Sequence, residues 1–321
     1  MNGRFPILYI AEAAPEEAIL SSGALAHLVE MIPHADFTVV GSAATAPLFA
    51  DVPRLRKLIV LDKDRSWDWV ALWNQLRGTN WGLVVDMRGS NISTKLRRQR
   101  RAVKGPSEPG VHPVEEAARL LQLDEIPSPK LFFGPETMAI ADSFIPRGHE
   151  PILAIGPGVD WIGKRWPAER FAKVAGPLLS EGGPLAGGRL MIVGEEADRD
   201  AAHTIRFAVR RDRVIELQGK LTRLQTAAAL RHANLFIGGD SVWTQLAVAA
   251  GVPTVGVFGP SDETKRRPWT GIAVRGPRTL EEYKELDPRL NQHIQHMMDL
   301  PADRVLKKTL KFITDLTEQA A

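Results

Sequence analysis

In the stretch 235–260 an apolar run ends in Gly238-Gly239-Asp240-Ser241, a mostly apolar segment follows, Gly251-Val252-Pro253 interrupts it, and a second apolar run ends in Gly259-Pro260. The pattern predicts strand, turn, helix, stop and strand, a complete βαβ unit. The paired glycines allow a ligand close to the backbone, and the helix beginning at Val242 aims its unpaired N–H groups at the same place. An anion such as a diphosphate can sit there, stabilised by about 0.3–1 kcal/mol per charge if exposed and nearer ~2 if partly buried. A competing reading, equally served by the pattern, makes Asp240 or Ser241 an ordinary helix N-cap.

Three further stretches carry comparable chemistry. Gly156-Pro157-Gly158-Val159-Asp160-Trp161-Ile162-Gly163-Lys164-Arg165 lacks the third glycine of a dinucleotide fingerprint, because Trp161 stands in its place, and no G-x-x-x-x-G-K-[ST] loop exists. Lys164 and Arg165 nevertheless approach a helix N-terminus, the wrong end for a structural cation, which favours a bound anion beside them. Gly194-Glu195-Glu196-Ala197-Asp198 follows an apolar run where α/β folds often place a carboxylate for ribose hydroxyls, although Glu196 or Asp198 serves a helix cap equally well. Glu16 and Glu17 behind Pro15 suit the first turn of a helix in the first loop of the chain. Asp62-Lys63-Asp64 offers a D-x-D carboxylate pair, for which a polar turn is the stronger reading. Histidines 27, 203, 232, 293 and 296 lack metal-ligand spacing and read as surface or boundary residues.

The elements that must hold these groups alternate along the chain. Strands are expected at 5–11, 36–41, 56–62 and 81–86, then at 152–155, 190–193, 214–217, 235–237 and 254–258, with helical segments between them and a last helix from 302 to about 316. Such alternation means parallel sheets covered on both faces, with functional groups in the loops at the carboxyl ends of the strands. Gly176-Pro177 is expected to kink or shorten the helix beginning at Pro167. The polar, breaker-rich run 146–151 marks a domain boundary, giving an N-terminal domain of 1–149 and a C-terminal domain of 150–321.

At 321 residues, 44% hydrophobic and 25% charged, the chain supports two cores of roughly 150 residues each. No apolar run reaches the ~18–20 residues of a membrane span, and the first ten residues lack a signal-peptide pattern, so a cytoplasmic protein is expected. With no cysteine, disulfides, thiolate nucleophiles and cysteine–zinc sites are excluded. Net charge is only +3, but Lys95-Leu96-Arg97-Arg98-Gln99-Arg100-Arg101-Ala102-Val103-Lys104 concentrates the basic residues. This cluster is either a solvated face or a docking surface for an anionic partner, such as a phosphorylated acceptor or acidic lipids. Nucleic acid is disfavoured, because no aromatic residues interleave with it.

Taken together, 235–260, the Lys164 loop and the first loop resemble the family 9 glycosyltransferases, the ADP-heptose:lipopolysaccharide heptosyltransferases. The likeness extends over 5–41, 81–93, 152–171, 191–199 and, above all, 218–260. It implies a GT-B fold: two Rossmann-like domains facing a cleft, acceptor on the N-terminal half, nucleotide sugar on the C-terminal half, and a C-terminal helix that can pack back on the N-terminal domain. It assigns Gly239, Asp240, Ser241 and Val242 to the sugar diphosphate, Lys164 with Arg165 and Gly158 to the phosphates, Asp198 or Glu196 to the ribose, and Glu17, beside Glu16, to the catalytic base. The implied reaction is an inverting displacement with a nucleotide-diphosphate sugar as co-substrate, no other cofactor and no metal. The acceptor would be an anionic glycolipid in cell-envelope synthesis, met at the inner face of the cytoplasmic membrane through 95–104.

The chain departs from the family pattern at Glu16-Glu17 for Gly-Asp, Val242 for the glycine after Asp-Ser, and Gln245 for the histidine before Leu-Ala. Two readings follow: an active sugar transferase, or a member that binds nucleotide sugar or glycan with weakened or absent turnover.

Overall fold

The computed structural model describes residues 4–61 and 66–320. The chain divides into two compact units, Met1–Pro135 and Glu136–Ala321. The division precedes most of the helix Pro135–Ser143 because that helix is tied to the second unit: Asp142 Oδ1 lies 2.8 Å from His232 Nε2, and Arg231 Nη1 meets Met138 Sδ at 3.0 Å.

The first unit holds β1 (Phe5–Ile10), β2 (Ala35–Gly41), β3 (Leu55–Val60), β4 (Trp81–Asp86) and β5 (Arg98–Val103). They form one parallel sheet in the order β3-β2-β1-β4-β5. β1 and β2 sit inside the sheet and read as continuous buried runs, as strands covered on both faces do. β5 was not anticipated, because its Arg-rich sequence reads as a surface cluster. It is an edge strand with Gln99, Arg100 and Arg101 exposed, and charge on an edge discourages pairing with other chains. The first helical stretch is two helices, Pro15–Leu20 and Ser22–Met31, meeting at Ser21.

The second unit holds β6 (Ile152–Gly156), β7 (Arg189–Ile192), β8 (Val214–Glu216), β9 (Leu235–Gly239), β10 (Thr254–Phe258) and β11 (Gly271–Arg275), parallel in the order β11-β10-β9-β6-β7-β8. The helix Ala168–Leu179 buries Phe171, Val174, Ala175 and Leu178 at helical spacing. It runs through Pro177 rather than stopping there, since a proline so near the end removes only a bond of the last turn. The C-terminal helix Ala302–Ala320 uses its apolar stripe in the second unit, where Val305 lies in the core and Leu306, Phe312 and Ile313 pack against it.

Each sheet reverses its strand order once, between β1 and β4 in the first unit and between β6 and β9 in the second. In open α/β sheets the crevice outside the carboxyl ends of such strands is the ligand site. Among the described residues no helix is long and apolar enough to cross a membrane.

Candidate active site

At the second switch point, the loop after β6 meets the turn after β9. Lys164 ends the short 3-10 helix Ile162–Lys164, and its Nζ lies 3.1 Å from Asp240 Oδ2 and 3.1 Å from Asp160 Oδ1. Asp240 is only 2% exposed, whereas the Asp160 side chain is 62% exposed, so one partner is fixed and the other stands in solvent. Ser241 occupies the N-cap position of the helix Val242–Ala249 with extended backbone, yet its hydroxyl caps nothing and is buried without a hydrogen-bond partner. Asp240 Oδ1 is likewise buried and unpartnered. A helix start whose N-cap side chain is unspent, beside a half-buried cation, is chemically an anion site rather than a plain cap.

Gly239 and Gly158 pack close against neighbouring side chains. A Cβ on Gly239 would stand 2.9 Å from Val159 Cγ1, and one on Gly158 would overlap Asp198 Oδ2 at 2.2 Å. Val242 is buried at 7% exposure, and Gln245, at 1%, donates from Nε2 to the Arg266 carbonyl at 2.8 Å. Arg165 is exposed and acts electrostatically on Asp198.

The two ribose candidates are separated by their surroundings. Asp198 accepts the Glu195 N–H at 2.9 Å in a capping box, and burial raises its carboxyl above the ordinary range despite that bond. Glu196 is mostly exposed and pairs with Arg199 at 2.9 Å, with its Oε2 beside Gly219.

At the first switch point Glu16 and Glu17 lie in the first turn of the helix Pro15–Leu20, both partly exposed. Glu12, immediately beyond β1, is the buried carboxylate of this loop at 8% exposure. Its Oε1 lies 2.5 Å from Lys104 Nζ, which also reaches Glu116 Oε2 at 3.4 Å. Burial pushes the Glu12 carboxyl above its usual range, opposed by Lys104. For Lys104 burial works downward, but Glu12 and Glu116 more than offset it and leave the amine above its ordinary value. Asp86, the last residue of β4, is fully buried; it accepts Ser90 Oγ at 2.5 Å and the Arg88 N–H at 3.0 Å, and burial still raises it.

Beside this cluster, at the carboxyl-end loops of β3 and β4, lies a cavity of about 760 Å³ lined by Trp69, Trp73, Val70, Ile92, Asn91 and Lys95. Trp73 is oriented by its Nε1, which donates to the Lys95 carbonyl at 3.1 Å.

The sequence reading passed over Glu12, Asp86 and Lys104 as site residues. Glu12 and Asp86 open the strand-end loops 12–17 and 86–93, where functional groups are expected, but neither was given a role, while Lys104 was absorbed into the basic run. His296 corrects another expectation: it is 1% exposed, packed between Trp161 and Tyr283 at ring separations of 5.6 and 5.5 Å, and 3.6 Å from Asp287 Oδ2. The Asp62-Lys63-Asp64 pair lies outside the described residues. Among the described residues no group of three or more His, Cys, Asp or Glu side chains is placed to hold a metal ion.

Residues 116–289, just over half of the chain, match the model of glycosyltransferase family 9 (heptosyltransferase), a span that includes neither Glu16 nor Glu17. Lipopolysaccharide heptosyltransferase 3 of Escherichia coli K12 is 22% identical, over 93% of this chain and 95% of its own. The structure of an E. coli ADP-heptose lipopolysaccharide heptosyltransferase II aligns with a TM-score of 0.72 at 17% identity, over 98% of this chain and all of the other. An E. coli heptosyltransferase solved with ADP-2-deoxy-2-fluoro heptose aligns at 0.62 and 17%, over 99% of this chain and all of the other. These structures share the fold of the chain.

Proposed function

The chain belongs to glycosyltransferase family 9, the heptosyltransferases, and from that premise we propose that it moves a heptose or related sugar from ADP-heptose to a lipopolysaccharide core or other cell-surface glycan, with inversion and without a metal. The observation that carries the reading is the second switch point, where Lys164, the unspent Ser241 hydroxyl and the start of the helix Val242–Ala249 converge. The neighbour solved with an ADP-linked fluoro-heptose supports an adenine nucleotide donor.

In this mechanism the Glu17 carboxylate takes the proton of an acceptor hydroxyl, and the oxygen attacks the anomeric carbon from the face opposite the diphosphate. The bond from that carbon to the diphosphate oxygen breaks, and ADP leaves with the electron pair. Charge builds on the leaving oxygen as the sugar gains oxocarbenium character. Lys164 and the helix N–H groups stabilise that charge, the task a metal performs in other phosphate sites. Asp198 or Glu196 holds the ribose. The second unit is the donor domain and the first the acceptor domain, with the acceptor glycan in the cavity of Trp69 and Trp73. Exposed Arg100 and Arg101 on edge strand β5, with the rest of the basic run 95–104, would supply the contact with an acidic membrane surface at the inner face.

The reading is tested by incubating the protein with ADP-heptose and a core oligosaccharide lacking heptose, in chelator, and assigning the new anomeric centre by NMR. A heptosylated product of inverted configuration is expected. Retention of configuration, or transfer that requires added metal, contradicts the mechanism.

A further inference from the structure

The helix Ser66–Leu76 packs one face on the core of the first unit, where Leu72 and Leu76 are buried and Trp69 and Trp73 lie against that core. A surface helix packed in this way ordinarily turns a polar face to water. Here the outer face carries Trp67, Val70 and Ala71, three and four residues apart and all exposed, with Asn74 a turn further on. Trp67 is 81% exposed and Val70 49%, and Val70 also lines the cavity of Trp69 and Trp73. Three exposed cations border the helix. Lys57 Nζ meets Gln75 Oε1 at 2.8 Å, the Arg77 guanidinium stands 5.0 Å from the centre of the Trp73 ring, and Lys95 lines the same cavity. Asp68 is the one acid of the helix and is only partly exposed.

An exposed tryptophan and valine bordered by cations suit a helix lying in a membrane interface, where the indole sits at headgroup level and Lys or Arg meets acidic lipid. We propose that the helix Ser66–Leu76 docks the protein on an acidic membrane, sinking Trp67 and Val70 among the headgroups with Lys57, Arg77 and Lys95 on the surrounding phosphates. The basic run on β5 adds attraction, but exposed charge alone fixes no orientation; the apolar pair selects the face that meets the lipid. Because Val70 belongs to both surfaces, the cavity of Trp69 and Trp73 then stands at the lipid surface, where a lipid-borne acceptor presents its sugars. That use rests on the proposed function, whereas the docking rests on the helix.

The test is flotation of the full chain with vesicles of phosphatidylglycerol and phosphatidylcholine, in the absence of donor and acceptor. The wild type should bind, and Trp67→Ser/Val70→Ser should bind roughly tenfold more weakly, with an unchanged unfolding temperature because both side chains are exposed. High salt should remove the part of the binding carried by Lys57, Arg77 and Lys95 and leave a remainder that depends on Trp67 and Val70. Lipids brominated in the acyl chain should quench the tryptophan fluorescence of the wild type, and quench it less in Trp67→Phe, a result that stands even if the double variant does not fold. No binding by the wild type, equal binding by the double variant, or equal quenching in wild type and Trp67→Phe overturns the proposal. A dimer, seen by sedimentation, that the double variant dissolves while vesicle binding is unchanged also overturns it, and assigns the face to a second copy of the chain. Failure of sugar transfer with docking intact overturns only the proposed function, so the two failures are distinct.

Discussion

Lys164 Nζ and Asp240 Oδ2 stand 3.1 Å apart, joining the loop after β6 to the turn after β9 at the point where the second sheet reverses its strand order. The pair is buried, with 14% and 2% side-chain exposure, so each charge depends on the other. Lys164→Ala is therefore expected to destabilise the protein by roughly 3–5 kcal/mol, because it leaves Asp240 as an uncompensated buried charge. Adding Asp240→Asn should recover most of that loss, as read from denaturant unfolding. Equal stability of wild type and Lys164→Ala would show that the pair carries no structural energy.

Glu17→Gln keeps the size of the side chain and removes its basicity. Transfer should fall by about 10²–10⁴ while the affinity for ADP-heptose, measured by calorimetry, stays unchanged. A parallel loss of donor affinity would assign Glu17 to binding.

Asp86 gives a pH prediction with a fixed sign. Burial raises its carboxyl above the ordinary aspartate value of 3.8, so just above that pH the folded protein holds a proton that the unfolded chain has released. Stability then falls as pH rises from the unfolded value through the raised folded value. Asp86→Asn lacks this ionisation, and its stability relative to wild type should grow across the same window in urea titrations. A difference independent of pH would refute the assignment.

The basic residues of 95–104 are not equivalent. Arg98 is half-buried, with Nη1 on the Leu96 carbonyl at 2.9 Å, whereas Arg97, Arg100 and Arg101 are exposed. Replacing these three by serine should weaken binding to vesicles rich in acidic lipid by about 1 kcal/mol per residue. Unchanged co-sedimentation would leave them as a solvated edge of the sheet.

Much of this architecture was legible because buried parallel strands are written as continuous apolar runs: 235–239, 254–258 and 81–86 are plain in the sequence and define where Asp240, Ser241 and Asp86 stand. β5 was hidden because an edge strand needs no apolar run, and Arg98–Val103 advertises charge instead. Lys164 was legible from its position at a helix start, but not its pairing with Asp240, since that contact joins two crossovers far apart in the chain. Glu12 was obscured by Glu16 and Glu17, which carry the more familiar first-turn signal. The burial of His296 depends on Trp161 and Tyr283 closing over it, which local spacing does not encode.

The most direct measurement is calorimetric titration of ADP-heptose, in chelator, into the wild type and into the Lys164→Ala/Asp240→Asn protein. Binding by the wild type is expected, with at least tenfold weaker binding, about 1.4 kcal/mol, by the double variant. No binding by the wild type, or equal affinity in both proteins, would contradict it.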